Sequence, residues 1–390
     1  MAPILPTNPM LGPNRFKLGV FSANCDGGLT MSLAPERWQA NWDDIVAMCR
    51  IADDAGMEFI LPVAKWRGYQ GKANIYGKSY ETLTHSAAIG ALTKRICVFS
   101  TIHVSLITPA FGAKALATID HVTHGRAGLN IVCGWNQEEF DLHGQTIDQE
   151  KRYEHGLAWF KVWSKLLEGG PEFDWKDDFF DLKRLHTNPV SVQRPRPLVM
   201  SAGFSPKGRD FAAQAADALF TNMTDLEQAP GFLADVSQYM TRYNRTLPVY
   251  VMGHVVCRPT RKEAEEFYYY FAEELADAEG QAYYRRQRGT KAGVGAATAG
   301  RPFENRFMRK SGKKYDGAYP GTYPLVGTPD DIAEDMARMS AAGLAGCSVA
   351  FLDYLKEIPD FVAEVLPRLE RLGLREPQTA TPSSVPDRSA

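Results

Sequence analysis

The segment from Arg126 to Gly144, RAGLNIVCGWNQEEFDLHG, carries the most informative chemistry in the chain. Side chains alternate along a β-strand, so Leu129 and Ile131 face one way and Asn130 and Val132 the other. In a strand of a closed parallel barrel, Asn130 then points inward. There an amide with four hydrogen-bonding positions is costly unless it is satisfied. It is either a structural amide that caps neighbouring backbone, or one held for a polar heterocycle. Gly134 turns the chain, and Trp135 follows as a packing anchor or as one wall of an aromatic ligand's pocket. Other polar residues close neighbouring apolar runs: Ala64 and Lys65 the second, Thr101 the third. Ser201–Ser205, with Gly203 at its centre, ends the fifth run and opens a helix. Backbone N–H groups and the Ser205 hydroxyl make an anion site there. Arg152, in the long fourth connection, supplies a second phosphate contact. Each residue alone has a commoner structural role; together they outline a pocket with an aromatic wall, an amide and an anion clamp.

Several standard signatures fail. Gly71–Ser79 resembles a phosphate-binding loop, but five residues separate its glycines and it does not join a strand to a helix. The glycines of 293–300 lack a preceding strand. Ser205 lacks the second glycine of a nucleophile elbow. None of the eight histidines forms a metal-ligand pair; His121 and His124 read as solvent-facing polar side chains at a helix exit. His85 and His103 fall near the same mouth as Asn130, and helix or strand packing accounts for both. Between Arg285 and Lys314, ten basic side chains face only Glu304. That stretch reads as a loop offsetting the acidic helix before it, or as a lid that draws in a phosphate-bearing ligand.

These residues need elements to hold them. Apolar runs at 16–22, 57–64, 96–102 and 127–135 alternate with helical periodicity at 36–55, 80–92 and 110–121, with Gly56 as a helix stop. The second half repeats the rhythm, with strands at 197–203, 217–222, 249–257 and 346–351. Its helices fall near 154–168, 205–216, 230–243, 260–277, 329–342 and 357–372. Eight strand–helix units predict an α/β fold, a (β/α)8 TIM barrel, because parallel strands require crossover connections. The expected organisation is one barrel domain over 1–376 with insertions at 136–196 and 278–326, then a disordered tail at 377–390.

Composition narrows the class. A formal charge of -2 over 390 residues argues against a nucleic-acid or anionic-membrane protein. The six cysteines form no CxxC pair and no regular spacing, which suits a reducing compartment. The start lacks the pattern of a signal peptide, so a cytoplasmic enzyme is expected.

The segments AKWRGYQGK (64–72), LATIDHVTHGRAGLNIVCGW (116–135), RYE (152–154) and SAGFSPKGRDFAA (201–213) make the chain resemble the bacterial luciferase-like flavin monooxygenases over residues 16–372. The resemblance is greatest to the subgroup with the pyrimidine and dimethyl sulfone monooxygenases. It implies a barrel that binds FMN as FMNH2, supplied by a separate NAD(P)H-dependent flavin reductase, and uses O2 through a flavin peroxide at C4a or N5. By position, Ala64, Lys65, Asn130 and Glu139 would contact the flavin. Arg152, Tyr153 and Ser205 would hold its phosphate, with Gly203 in the same turn. Thr101, Asn130 and Trp135 would line the oxygen-reacting side. A small polar or heteroatom-bearing substrate is implied: a heterocycle, amide, organosulfur compound or haloaromatic. So is a homodimer or homotetramer. The alternatives are a deazaflavin-dependent oxidoreductase on the same fold and a non-catalytic flavin-binding protein. Cys133 stands where relatives often carry Thr or Ser, which leaves the substrate open.

Overall fold

The computed structural model describes residues 8–134, 136–146, 148–289, 305–315 and 317–377. Trp135, residues 290–304 of the basic stretch, and 378–390 of the tail lie outside them.

Eight parallel strands close a barrel: β1 (Lys17–Phe21), β2 (Phe59–Leu61), β3 (Cys97–His103), β4 (Ala127–Val132), β5 (Leu198–Ser201), β6 (Ala218–Thr221), β7 (Val249–Cys257) and β8 (Gly346–Ala350). Each falls within one of the eight expected runs or extends it by a residue. β8 pairs with both β1 and β7, and β6 with β7, which closes the ring. A ninth strand, Tyr323–Gly327, was not expected. It pairs with the upper half of β7, from Gly253 to Cys257, while β6 pairs with the lower half. The sequence YPLVG is short and follows a long connection, so its pairing depends on β7 outrunning β6.

Aromatic rings fill the barrel interior. Phe59 packs edge-on against Phe99 at 6.1 Å and against Tyr250 at 5.8 Å. Rings this wide require their neighbours on adjacent strands to lack side chains. A Cβ added at Gly128 would lie 2.4 Å from the Phe99 ring, and one at Gly19 2.3 Å from the Phe59 ring. Gly128→Ala therefore overpacks a core that has no free volume, and should cost about 1–3 kcal/mol. An unchanged urea midpoint would show that the rings have room to shift.

Two buried cations tie the bottom of the barrel together. Arg126 donates to the carbonyls of Ile96, Gly90 and Thr93 at 2.7–3.0 Å, and so joins the end of helix Thr82–Leu92 to β4. Arg375 pairs with Glu58 at 2.7 Å.

The helices follow the expected periodicity with three differences. The first begins at Trp42, not at 36, because Ala40 adopts a left-handed backbone and Trp38 turns inward to donate its indole N–H to the Ala23 carbonyl at 2.8 Å. The helix from Arg261 ends at Tyr269 and continues as one π-helical turn, Tyr270–Glu274. The insertions are also more ordered than plain loops. The first holds helix Gln137–Asp141 and an antiparallel hairpin, Phe173–Lys176 with Asp181–Leu185, built from the run FDWKDDFFDL. The second holds helices Ala278–Gly289 and Arg306–Ser311. No helix among the described residues is long and apolar enough to cross a membrane.

Candidate active site

The C-terminal ends of the strands surround a cavity of about 770 Å³, whose wall includes Ala64, Lys65, Thr101, Asn130, Glu139, Arg152, Tyr153, Gly203 and Ser205. Except for Trp135, which lies outside the described residues, the structure thus brings all the expected site residues to one cavity. A barrel places strand ends there because every parallel strand exits on the same face.

Thr101 and Asn130 are register partners on β3 and β4. The Thr101 hydroxyl donates its single proton to the Pro62 carbonyl at 2.5 Å. It can then only accept from Asn130, whose Nδ2 lies 3.1 Å away. That fixes the amide's orientation and leaves Asn130 Oδ1 buried with no partner in the protein. A buried orphan acceptor costs free energy, and it leaves one hydrogen-bonding position open on the cavity side.

Lys65 and Glu139 form an ion pair at 2.7 Å, with side chains 4% and 2% exposed. Glu139 also accepts from the Trp66 backbone N–H at 3.0 Å. Asn136 caps helix Gln137–Asp141 by accepting from the Glu138 N–H, which returns Glu139 across the top of β3 to the β2 exit. Burial holds the Lys65 ammonium below its usual range, against the opposing pull of Glu139. Glu138 reaches outward instead and accepts from Tyr283 and Gln287 of helix Ala278–Gly289.

The fifth strand exit is a tight turn that runs directly into a helix. Ser205 caps helix Pro206–Ala215, accepting from the Gly208 N–H at 3.1 Å, and its hydroxyl lies 3.4 Å from that of Tyr153. A Cβ at Gly203 would lie 2.3 Å from the Gly208 carbonyl, so only glycine allows the turn to close this tightly. Arg152 opens helix Arg152–Glu168, with its guanidinium 5.0 Å from the Tyr153 ring centroid and its Nε buried without a partner.

The two histidines separate. His103 lines the cavity, stacked edge-on against Phe140 at 5.5 Å, and burial lowers its pKa to about 4. It stands there as a neutral imidazole. His85 is absent from the cavity wall and packs against Trp42 at 6.1 Å. Burial pushes its pKa down to about 4 as well. An unfolded histidine protonates first as pH falls, so this contribution is complete above pH 6.5 and is lost between 6.5 and 4. His85→Phe should therefore flatten the acid limb of stability by about 3 kcal/mol. Identical urea midpoints against pH for both proteins would contradict this. Cys133 is buried and its thiol is raised to about 12, so it is no thiolate nucleophile.

Of the basic stretch, Arg309 pairs with Asp225, Lys310 with Glu265 and Arg306 with Asp335. These three cations thus serve charge compensation, and none of them lines the cavity. The connection 278–326 contributes Gln287 and Tyr319 to the cavity wall.

Comparison with known proteins agrees with this geometry. The family model for luciferase-like monooxygenases matches residues 16–346. The chain is a luciferase-like monooxygenase family member. Among curated proteins it is similar to the FMNH2-dependent dimethylsulfone monooxygenase of Pseudomonas putida, 27% identical over 91% of this chain and 96% of that one. It is also similar to the pyrimidine monooxygenase RutA of Acinetobacter baylyi, 26% identical over 90% and 94%. Among solved structures, DmoA of Hyphomicrobium sulfonivorans shares the fold at a TM-score of 0.77 and 20% identity, over 92% of this chain and 89% of that one. The long-chain alkane monooxygenase LadA does so at 0.78 and 20% identity, over 93% and 92%. The luciferase-like barrel of this chain is thus shared with enzymes of dissimilar substrates.

Sequence reasoning missed half of the cavity wall. Phe21, Tyr69, Tyr76, Phe220, Thr221, Asn222, Met252 and Tyr319 line it. Phe21, Thr221 and Asn222 sit at the ends of strands one and six, so the signal that found Thr101 and Asn130 was available for them.

Proposed function

We propose that this luciferase-like protein is a two-component monooxygenase that binds reduced FMN, delivered by a separate NAD(P)H-dependent reductase, and inserts one oxygen atom of O2 into a small organic molecule. The observation that carries this reading is the orphan acceptor of Asn130, held by Thr101 in the same cavity as an anion cradle. The residues fit the cofactor: a buried acceptor suits a ring N–H, and the Arg152, Tyr153 and Ser205 side chains with a side-chain-free turn at Gly203 suit a phosphate. Reduced FMN supplies the electrons and the ring position that activates O2.

The chain's own residues do the rest. Arg152, Tyr153 and Ser205 hold the phosphate end, and the first-turn N–H groups of helix Pro206–Ala215 add their dipole. Thr101 spends its proton on Pro62 and therefore acts through Asn130, keeping the amide in one orientation. Asn130 then presents Oδ1 to a ring donor, while the second Nδ2 hydrogen is available to negative charge that develops beside it. Lys65, neutralised by Glu139, adds a positive group without a net charge. The neutral His103 imidazole and buried Cys133 line the same space and keep it dry.

Arg152→Ala separates phosphate binding from ring binding. FMN affinity should fall about tenfold or more, while riboflavin affinity stays within twofold of the unaltered protein. Flavin fluorescence titration reads both. Equal losses for FMN and riboflavin, or no loss for either, would remove Arg152 from the phosphate site. No binding of either reduced FMN or riboflavin would remove the function itself.

A further inference from the structure

The charges around the cavity stand on one side of it. Lys65, Glu139, Glu150, Arg152 and Lys207 belong to the exits of β2, β4 and β5, and four of them are already matched: Lys65 with Glu139 at 2.7 Å, and Lys207 with Glu150 at 2.9 Å. Another part of the wall comprises Phe21, Tyr69, Tyr76, Phe220, Met252 and Tyr319, from β1, β6, β7 and two connections. Phe21 and Phe220 meet at 5.0 Å with rings tilted by 59°. The three tyrosines form a continuous cluster: Tyr69 to Tyr76 at 5.4 Å, Tyr76 to Tyr319 at 5.9 Å, Tyr69 to Tyr319 at 6.1 Å. The Tyr69 and Tyr319 hydroxyls hydrogen-bond to one another at 2.9 Å, and Tyr76 to Ser22 at 3.0 Å, so the rings are locked in place. The charged group of the cavity wall that touches this half is Lys65, whose Nζ stands 4.5 Å from the Tyr69 ring centroid and is paired with Glu139.

Building on the flavin reading above, we propose that this half is the substrate chamber, and that it takes an uncharged, ring-bearing molecule with a single hydrogen-bonding heteroatom group. Each other class of ligand meets a specific obstacle. An anion would find as its nearest cation Lys65, already neutralised by Glu139, and burying an unpaired carboxylate is strongly unfavourable. A cation would be drawn to tyrosine faces, but the Tyr69 face is already taken by Lys65 Nζ, 4.5 Å from the ring centroid. A small aliphatic molecule would leave the ring faces without contacts. A neutral ring meets them by offset or edge packing. The polar group of the chamber that is buried without a partner in the protein is the Thr221 hydroxyl at the end of β6, with Asn222 beside it on the wall. Burial pushes the Tyr69 and Tyr76 phenols well above their usual range, so these two rings stay neutral.

The test uses full-length protein loaded with FMN, whose own binding is measured first by flavin fluorescence. Benzamide, benzoate and benzamidine are near-isosteres with charges of zero, minus one and plus one; dimethyl sulfone is the small probe without a ring. Isothermal titration should find benzamide binding at least about tenfold tighter than each of the other three. Phe220→Ala should weaken benzamide about fivefold or more and leave the FMN affinity unchanged. If that variant is misfolded by circular dichroism, Thr221→Val replaces it with the same expectation for benzamide. Tighter or equal binding of benzoate, benzamidine or dimethyl sulfone overturns the assignment, as does FMN-loaded protein that ignores all ring probes. If FMN itself fails to bind, the flavin reading has failed and the chamber's role falls with it; if FMN binds and the ranking fails, the substrate class alone is wrong.

Discussion

Asn130→Ala should lower kcat/KM for oxygenation by about a hundredfold or more, the size of effect seen when a preorganised polar group is removed from a dry site, and equivalent to about 2.7 kcal/mol or more of transition-state stabilisation. The folded protein should tolerate the change. The amide makes one hydrogen bond within the chain, to Thr101, and its acceptor has none. Removing a buried group whose acceptor is orphaned relieves a cost as well as losing a contact. The thermal midpoint should therefore move by no more than a few degrees while turnover collapses. Thr101→Val provides the internal control. It frees the amide without deleting it, so the loss should be smaller, about tenfold. Single-turnover oxidation of the FMN-loaded protein with O2 measures the effect apart from reductase delivery. Turnover of the Asn130→Ala variant within threefold of the parent would show that Asn130 is a structural amide, the other reading its sequence allows.

Glu139→Ala should be the most destabilising single change in the cavity, at about 3–5 kcal/mol, because it takes the carboxylate away from the buried Lys65 ammonium. It also strips the Trp66 N–H of its acceptor and releases helix Gln137–Asp141 from the β2 exit. The double variant Lys65→Met with Glu139→Leu should recover most of that stability, since a buried ion pair contributes little against apolar residues of similar volume. It should not recover oxygenation if the pair tunes the flavin. Urea midpoints of the parent, Lys65→Met, Glu139→Leu and the double variant, compared as a double-mutant cycle, give the coupling directly. Additive single losses would mean that the two side chains do not depend on each other despite their 2.7 Å separation.

Both residues belong to the part of the site that is legible in the amino-acid sequence. Asn130, Thr101, Lys65 and Ser205 stand at the ends of apolar runs, and a parallel barrel brings such ends to one face whatever the loops do. The resemblance to luciferase-like monooxygenases rests on the same segments, and the match over residues 16–346 bears it out. The eight strands emerge for a related reason. Their pattern is local, and the interior of a parallel barrel leaves short, nearly continuous apolar runs.

What the tertiary structure decided depends on closure of the ring. Glu139 meets Lys65 only because a one-turn helix capped by Asn136 carries it back over β3, and no spacing between positions 65 and 139 encodes that contact. Strand Tyr323–Gly327 finds its place only against the free upper half of β7. The neutral chamber gathers Phe21, Tyr76, Phe220 and Tyr319 from opposite ends of the chain, where each looks like ordinary core. Periodicity follows from bonded neighbours and is written along the chain. Side-chain partnership across a barrel follows from how twisted strands close on themselves, and the sequence holds it only jointly, in all eight strands at once.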